Sequence, residues 1–378
     1  MSSAERPSRA AARGSGRRIA LAVSETAGHF YPALAVAEAF QAADPGCQIL
    51  FISDLASPAA RLAPRHGYAF GAVPGTPFAG AGPLGKALAL ARIALATVHA
   101  SKLLKRHRAE LVIGFGGYAS AGVLVAARAL GLQTAVHEAN QRPGLTNRVC
   151  ARFVHRVYLS SPAAESRLGG CRPFVTGHPV RASIVAAGRR TSAPPSTGRP
   201  ARVLVTSASR GAGFFAERVP EMLAQVTRRG IALEVQHQAG EADLAALAQA
   251  YERDGMDARV VPYIDDMAEA YAWADMAVTR AGAGTLAELA LVGRPALLVP
   301  LVDSAEDHQT ANARAFAEAG AAVWTSEPEW KGALLAERIA RLVTDASAWM
   351  AASRAARALA TPQAAARIVS DCEELVAR

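Results

Sequence analysis

The residues best placed to do chemistry in this chain lie between Met276 and Asn312. Met276–Pro300 reads MAVTRAGAGTLAELALVGRPALLVP, and DHQTAN follows at Asp307–Asn312. An apolar strand ends in a Gly-containing turn, and the next helix carries one carboxylate, Glu288, in its first turns. In an open α/β sheet, ligands sit beyond the carboxyl ends of strands, with phosphates against helix N-termini. One acidic side chain beside such a phosphate position suits the paired hydroxyls of a ribose. The segment therefore predicts a nucleotide-diphosphate site, and the polar cluster after Pro300 predicts that something beyond the nucleotide is also read.

Further strand ends carry similar equipment. Ser24-Glu25-Thr26-Ala27-Gly28-His29 combines small residues, which let the backbone approach an anion, with a histidine able to accept a proton. Pro32 suits the first turn of the following helix. The plain alternative is a βα turn with a polar cap. Gly114-Phe115-Gly116-Gly117-Tyr118 implies crowding by a ligand or by a tightly packed helix. His137-Glu138-Ala139-Asn140 suits either an internal network or a ligand, with Asn140 as the contact. Thr206-Ser207-Ala208-Ser209-Arg210-Gly211-Ala212 places hydroxyls and free N–H groups ahead of a helix, as a phosphate cradle requires. The backbone of Tyr263-Ile264-Asp265-Asp266-Met267 could read a flat base edge, with Asp265 and Asp266 capping the next helix.

Several chemistries are excluded. No Asp-x-Asp pair occurs, so metal-dependent phosphate binding of that kind has no support, and helix dipoles with Arg must carry the charge. The loops match neither G-x-x-x-x-G-K-[ST] nor, at the first strand, G-x-G-x-x-G. Cys47, Cys150, Cys171 and Cys372 lie far apart with no CxxC pair, which suits buried thiols in a reducing compartment.

The elements that must position these loops alternate, short β-rich runs with longer Ala/Leu helices, which is the pattern of parallel sheets. Strands are expected at 18–23, 48–52, 111–114, 134–137, 157–159 and 174–176. A second set is expected at 202–206, 233–236, 258–261, 276–279, 296–299 and 322–324. Two doubly wound Rossmann-like domains facing a cleft explain the duplication: residues 17–182 and 201–378, joined by a linker at 183–200. The linker includes the Pro- and Ser-rich TSAPPSTGRP. Residues 1–16 read as a disordered tail without an apolar signal core. The final helical stretch, Leu334–Ala377, should break near Pro362 and could pack on either domain.

At 378 residues, 51% hydrophobic and 19% charged, the chain has room for two cores and has the composition of a soluble globular protein. No apolar run reaches the ~18 residues of a spanning helix. The net charge of +9 rests on 41 basic residues, of which Lys86, Lys102, Lys105 and Lys331 are the lysines. No zinc-finger spacing or RNP-like motif accompanies that charge, so no nucleic-acid partner is expected. Pro83–Arg108 sets Lys86, Arg92, Lys102, Lys105, Arg106 and Arg108 among apolar positions. It suits an anionic membrane surface or a helix buried on its own sheet.

From about Arg18 to about Ala322 the sequence resembles the MurG-type glycosyltransferases. The resemblance is carried by GHFYPALAVAEAF, GFGGYASAGVLVAARALGL, HEANQRPGLTNR, GHPVR, YIDDMAEAYAWADMAVTRAGAGTLAEL and DHQTANAR. It implies a two-domain α/β GT-B fold. It also implies an inverting, metal-independent hexosyltransferase with no cofactor beyond its UDP-sugar, at the cytoplasmic face of a bacterial membrane. The donor would be UDP-N-acetylglucosamine and the acceptor the lipid-linked muramyl-pentapeptide (lipid I) of peptidoglycan. On the donor side the resemblance implies that Glu288 binds ribose and the Ile264 backbone binds uracil. Ser209, Arg210 and Gly211, with Gly284 and Thr285, would bind phosphates, Gln309 and Asn312 the sugar, and Arg181 would approach the diphosphate. Thr26, Gly28, His29, Gly116, Gly117, Tyr118 and Asn140 would line the acceptor pocket. His29 is the first candidate for base or positioning group and Glu25 the second.

The chain also departs from that family. GGTGGH is SETAGH, GGSQGA is SASRGA, HEQN is HEAN, and GNPVR is GHPVR. Glu25 puts a carboxylate where the acceptor diphosphate is expected, and like charges ~4 Å apart repel by a few kcal/mol near a surface. One reading pairs Glu25 with Arg210 across the cleft, and another gives the enzyme a different glycan, lipid or metabolite as acceptor. A UDP-sugar epimerase and a non-catalytic UDP-sugar-binding protein complete the alternatives.

Overall fold

The computed structural model describes residues 16–24, 26–75, 83–168, 173–190, 193–195, 198–207, 211–301 and 307–377, with the backbone alone at 83–90. In the first half the strands are β1 (Arg18–Ala22), β2 (Gln48–Ser53), β3 (Ala69–Ala72), β4 (Leu111–Gly114), β5 (Gln133–Glu138), β6 (Arg156–Leu159) and β7 (Pro173–Val175). They form a parallel sheet of order β3-β2-β1-β4-β5-β6-β7. The second half contributes β8 (Ala201–Thr206), β9 (Leu233–Gln238), β10 (Asp257–Val261), β11 (Met276–Thr279), β12 (Ala296–Leu298) and β13 (Ala322–Trp324). Their parallel order is β10-β9-β8-β11-β12-β13. In each sheet the chain starts mid-sheet, winds outward and returns on the other side. The switch points fall between β1 and β4 and between β8 and β11, where the loops of such sheets diverge and ligands of this fold class bind.

The crossovers are α1 (Ala27–Ala43), α2 (Pro58–Arg65), α3 (Pro83–His107), α4 (Tyr118–Ala129), α5 (Leu145–Cys150), α6 (Ala182–Gly188), α7 (Ala212–Thr227), α8 (Leu244–Arg253), α9 (Met267–Trp273), α10 (Ala283–Val292) and α11 (His308–Glu318). After β13 come α12 (Gly332–Thr344), α13 (Ala346–Ala358) and α14 (Ala364–Ala377). Helices cover both faces of each sheet, so the central strands are apolar without alternation: Ile19 to Ala22 and Leu111 to Ile113 are all buried.

Most expected strands form within a residue or two of their predicted bounds. The sequence reading has no counterpart for β3, because AFGA has no β-branched run. Gly71 in it accommodates α3, since a Cβ there would sit 2.9 Å from Leu103 Cδ1. The segment assigned to the linker starts as helix, since α6 buries Ile184 in the same core as α9 and α10. The final helical stretch breaks twice. Besides the break before Pro362, Asp345 interrupts it by accepting from the Ser347 and Ala348 N–H groups as the cap of α13.

The last helix leaves the second domain and packs on the first. Ile368, Val369, Cys372 and Leu375 of α14 join the core formed with α1 and β1. Asp371 takes Arg156 at 3.0 Å and the Tyr158 hydroxyl at 2.8 Å.

Candidate active site in the interdomain cleft

On the first domain, Thr26 occupies the cap position of α1 without capping it. Its hydroxyl instead meets His29 Nδ1 at 3.0 Å. Burial, with His308 nearby, pushes the His29 imidazole down to about 4, so it is neutral at physiological pH. Pro32 lies inside α1 and not in its first turn, because the helix already starts at Ala27. Its missing N–H leaves the Gly28 carbonyl without the usual helical donor.

The paired glycines of the second loop answer to neighbouring protein. Gly116 and Gly117 have φ of +96° and +75°. A Cβ on Gly116 would stand 3.2 Å from His29 Nε2, and one on Gly117 would overlap the Ser24 hydroxyl. The turn that starts α4 at Tyr118 thus presses the first loop and sets the position of His29.

Glu138 is a loop organiser. Its carboxylate accepts from the N–H of Asn140 (2.9 Å) and Gly144 (3.2 Å) and from Asn147 Nδ2 (2.8 Å). Asn140 extends from that loop to the other domain, where its Oδ1 accepts from Asn312 Nδ2 at 3.4 Å.

On the second domain, β8 and β11 end side by side, with the Thr206 and Thr279 hydroxyls 2.8 Å apart at the switch point. Arg280 follows, 2% exposed. Its guanidinium donates to the Val299, Pro300 and Gly211 carbonyls and pairs with Glu327 at 2.6 Å. Gly211, at φ +89°, caps α7, and a Cβ there would overlap Arg280. This arginine ties the start of α7 to the end of β12. Sequence reasoning overlooked it, although it stands directly after an apolar strand, where a cation without an acidic neighbour in sequence was a usable signal.

Helix α10 presents Gly284 and Thr285 in its first turn and Glu288 in its second. Glu288 Oε1 takes Arg181 at 3.1 Å, and Oε2 takes the Tyr271 hydroxyl at 3.0 Å. Burial raises the Glu288 carboxyl, and the Arg181 guanidinium opposes that shift. Arg181 also lies over the Tyr31 ring, 4.2 Å from its centre. Tyr31 and Tyr263 join their hydroxyls across the cleft. Ile264, expected to read a base, has its N–H on Gln238 Oε1 at 3.0 Å. Gln309 Oε1 accepts from the Leu301 N–H at 3.0 Å, and Asn312 also donates to the Ala281 carbonyl at 3.3 Å.

The structure therefore brings Arg181, Gly211, Gly284, Thr285, Glu288 and Asn312 around the C-terminal switch point, with His29, Gly116, Gly117, Tyr118 and Asn140 opposite. Glu25, Ser209 and Arg210 lie outside the described residues, and with them the suggested Glu25–Arg210 pair. Tyr31, Gln238, Tyr271 and Arg280 contact Arg181, Ile264, Glu288 and Gly211, and motif reading did not find them.

Two doubly wound domains closing on such a cleft define the GT-B class of glycosyltransferases. The chain belongs to glycosyltransferase family 28: the model of that family's N-terminal domain matches residues 19–159, and that of its C-terminal domain matches residues 202–368. A relative from Nitratidesulfovibrio vulgaris strain Hildenborough is 40% identical over 95% of this chain and 98% of its own. One from Citrifermentans bemidjiense is 36% identical over 93% and 98%. Both are named UDP-N-acetylglucosamine--N-acetylmuramyl-(pentapeptide) pyrophosphoryl-undecaprenol N-acetylglucosamine transferase. The crystal structure of Acinetobacter baumannii MurG superposes with a TM-score of 0.73 at 28% identity, covering 94% of this chain and 99% of that one. A putative UDP-N-acetylglucosamine 2-epimerase from Listeria monocytogenes, at 12% identity and a TM-score of 0.68 over 95% and 96% of the two chains, shares the fold alone.

Proposed function

We propose that this chain transfers N-acetylglucosamine from UDP-N-acetylglucosamine to the lipid-linked muramyl-pentapeptide of peptidoglycan synthesis. The observation that carries the reading is the near full-length similarity to relatives named for that reaction, in a chain that keeps Glu288 one turn after Gly284 on α10. The mechanism is direct displacement with inversion. An acceptor hydroxyl attacks the anomeric carbon and loses its proton to a base, a role we assign to neutral His29. The leaving UDP takes the electron pair, stabilised by the N-terminus of α10 and by Arg181. Uracil lies against Ile264 and the ribose against Glu288. Gly211, Gly284 and Thr285, with Ser209 and Arg210, hold the phosphates, and Gln309 and Asn312 read the sugar. No metal or cofactor is required, so chelators leave the rate unchanged.

Reaction at a membrane surface fits α3. Ala96, Ala100 and Leu104 pack inward against α4, while Leu95 and Val98 face solvent beside Arg92, Lys102, Lys105 and Arg106. No helix among the described residues is long and apolar enough to cross a membrane. Peripheral attachment at the inner leaflet through this face is therefore part of the proposal. Reversing the charge at Lys102, Lys105 and Arg106 should abolish flotation with anionic liposomes, and unchanged flotation would refute the attachment.

The test of activity is incubation of purified protein with UDP-N-acetylglucosamine and lipid I, following disaccharide product and UDP release. Transfer to another acceptor in preference to lipid I would establish the altered-acceptor reading suggested by SETAGH. A product from donor alone would point to epimerisation or hydrolysis.

A further inference from the structure

The hinge segment Gly177–Arg181 touches α10 twice. Arg181 reaches Glu288 in the second turn, and His178 reaches Gly284 in the first; the two contact points are four residues apart and share one face of the helix. His178 is 5% exposed, and a Cβ on Gly284 would lie 3.4 Å from its Nε2. Its Nδ1 meets the Ser160 hydroxyl at 3.2 Å. Ser160 in turn meets His137 Nε2 at 3.1 Å, and the two imidazoles pack edge to face at 5.5 Å. One nitrogen of His178 is thus anchored inside the first domain, while the other is aimed at the helix end that the second domain offers to an anion.

We propose that His178 is a further contact of the donor diphosphate: its Nε2 donates a hydrogen bond to a phosphate oxygen held at the start of α10, with Ser160 orienting the ring. This rests on the reading of α10 as the donor site.

Proton placement in the relay makes the contact switchable. Burial keeps both rings neutral, so each carries one N–H, and the Ser160 hydroxyl has a single proton to give. In one arrangement the His137 proton is on Nδ1, the ring nitrogen turned away from Ser160 and toward the Gly177 backbone. His137 Nε2 then accepts from Ser160, Ser160 accepts from His178 Nδ1–H, and His178 Nε2 is a lone pair facing the positive end of α10. A phosphate at that end requires the reverse. His137 Nε2–H donates to Ser160, Ser160 donates to His178 Nδ1, and His178 Nε2–H points to the phosphate. The number of protons is unchanged.

During transfer the acceptor oxygen bonds to the anomeric carbon, and the bond from that carbon to the β-phosphate oxygen breaks with the electron pair staying on phosphate. The hydroxyl proton leaves toward the first domain. His178 transfers no proton; its hydrogen bond strengthens as charge grows on the leaving oxygen.

The experiment is imidazole 15N NMR on the labelled full-length protein, titrated with UDP and separately with uridine. UDP should convert His178 from the Nδ1–H to the Nε2–H form and shift the Gly284 amide, whereas uridine should leave the ring unchanged. A Gly284 amide that moves while the His178 ring does not would overturn the proposal and leave the donor site standing. If neither moves at saturating UDP, the α10 reading itself fails. In parallel, His178→Ala should weaken UDP binding about tenfold and lower kcat by a similar factor, as loss of a hydrogen bond to a charged group predicts. Uridine affinity should not change, and His178→Gln, with its own N–H donor, should recover most of the loss. An alanine variant with wild-type UDP affinity and kcat would also overturn the contact.

Discussion

Arg181 and Glu288 approach to 3.1 Å across the hinge, each largely shielded from solvent, with the Tyr271 hydroxyl on the second carboxylate oxygen. Both oxygens of the Glu288 carboxylate are therefore satisfied by protein. On the proposed reading, a ribose bound at Glu288 would compete with Arg181 for Oε1 and release the guanidinium to the diphosphate. Glu288→Gln should weaken UDP at least tenfold by calorimetry. It should also destabilise the protein by about 3 kcal/mol, since it leaves Arg181 without its counter-charge. In a double-mutant cycle with Arg181→Met, the coupling in stability should exceed about 1 kcal/mol; additive effects would show the pair to be inert.

With His29 as the proposed base, its neutral state would set the pH dependence of turnover. Burial brings its ionisation down to about 4 from 6.5, so the ring is neutral and able to accept a proton throughout the neutral range. The acid limb of kcat/KM for the free enzyme should bend near pH 4 and not near 6.5. His29→Ala should lower kcat by about 10²-fold or more if the ring takes the acceptor proton, and by far less if it only positions the hydroxyl. A limb at 6.5 would mean that the ring is exposed to water in the working enzyme.

The glycine turn offers a cleaner geometric test. Gly117→Ala should impair acceptor use, because a Cβ overlaps Ser24 and the φ of +75° disfavours any L side chain. Donor affinity should change little, since the turn belongs to the other domain. Adding Ser24→Gly removes the overlap but not the backbone strain, so kcat should recover in part. Full recovery or none would contradict this division.

How much of this was legible beforehand can be argued residue by residue. The sheets were readable because strands buried on both faces appear as uninterrupted apolar runs, as in 19–22 of β1 and 276–278 of β11. β3 was not, because a short strand containing Gly71 owes its place to packing against α3 and carries no signal of its own. The site loops were readable from glycines and hydroxyls at strand ends. Their partners were not, because Gln238 on Ile264, Tyr271 on Glu288 and Tyr31 on Tyr263 depend on contacts between segments remote in sequence. The glycines of GFGGY show the same limit: their crowding was evident, but whether a ligand or Ser24 and His29 supplied it was not.

A prediction about stability comes from His237, away from the cleft. It is buried with Nδ1 on the Tyr251 hydroxyl at 2.9 Å, and burial lowers its ionisation to about 4 from 6.5. The unfolded chain binds the extra proton first as pH falls, so stability rises with pH across that window and is lost as pH drops from 6.5 through 4. The loss from this one group is on the order of 3 kcal/mol. Denaturant midpoints of His237→Asn should fall less steeply between pH 6.5 and 4 than those of the native protein. An unchanged slope would show that His237 is not the group responsible.

The return of α14 to the first domain has a mechanical consequence. The chain passes between the domains at Gly177–Ala182 and again near Thr361, and the two passages touch: a Cβ on Gly177 would overlap Thr361. A single tether would act as a ball joint, free to swivel about any axis. Two connections lying together would behave more like a door on its pin, favouring one rotation that opens and shuts the cleft along a fixed arc. A closing motion about that pin would deliver His29 and Asn140 to the same place on the opposite wall, with the accuracy of the encounter stored in the backbone path.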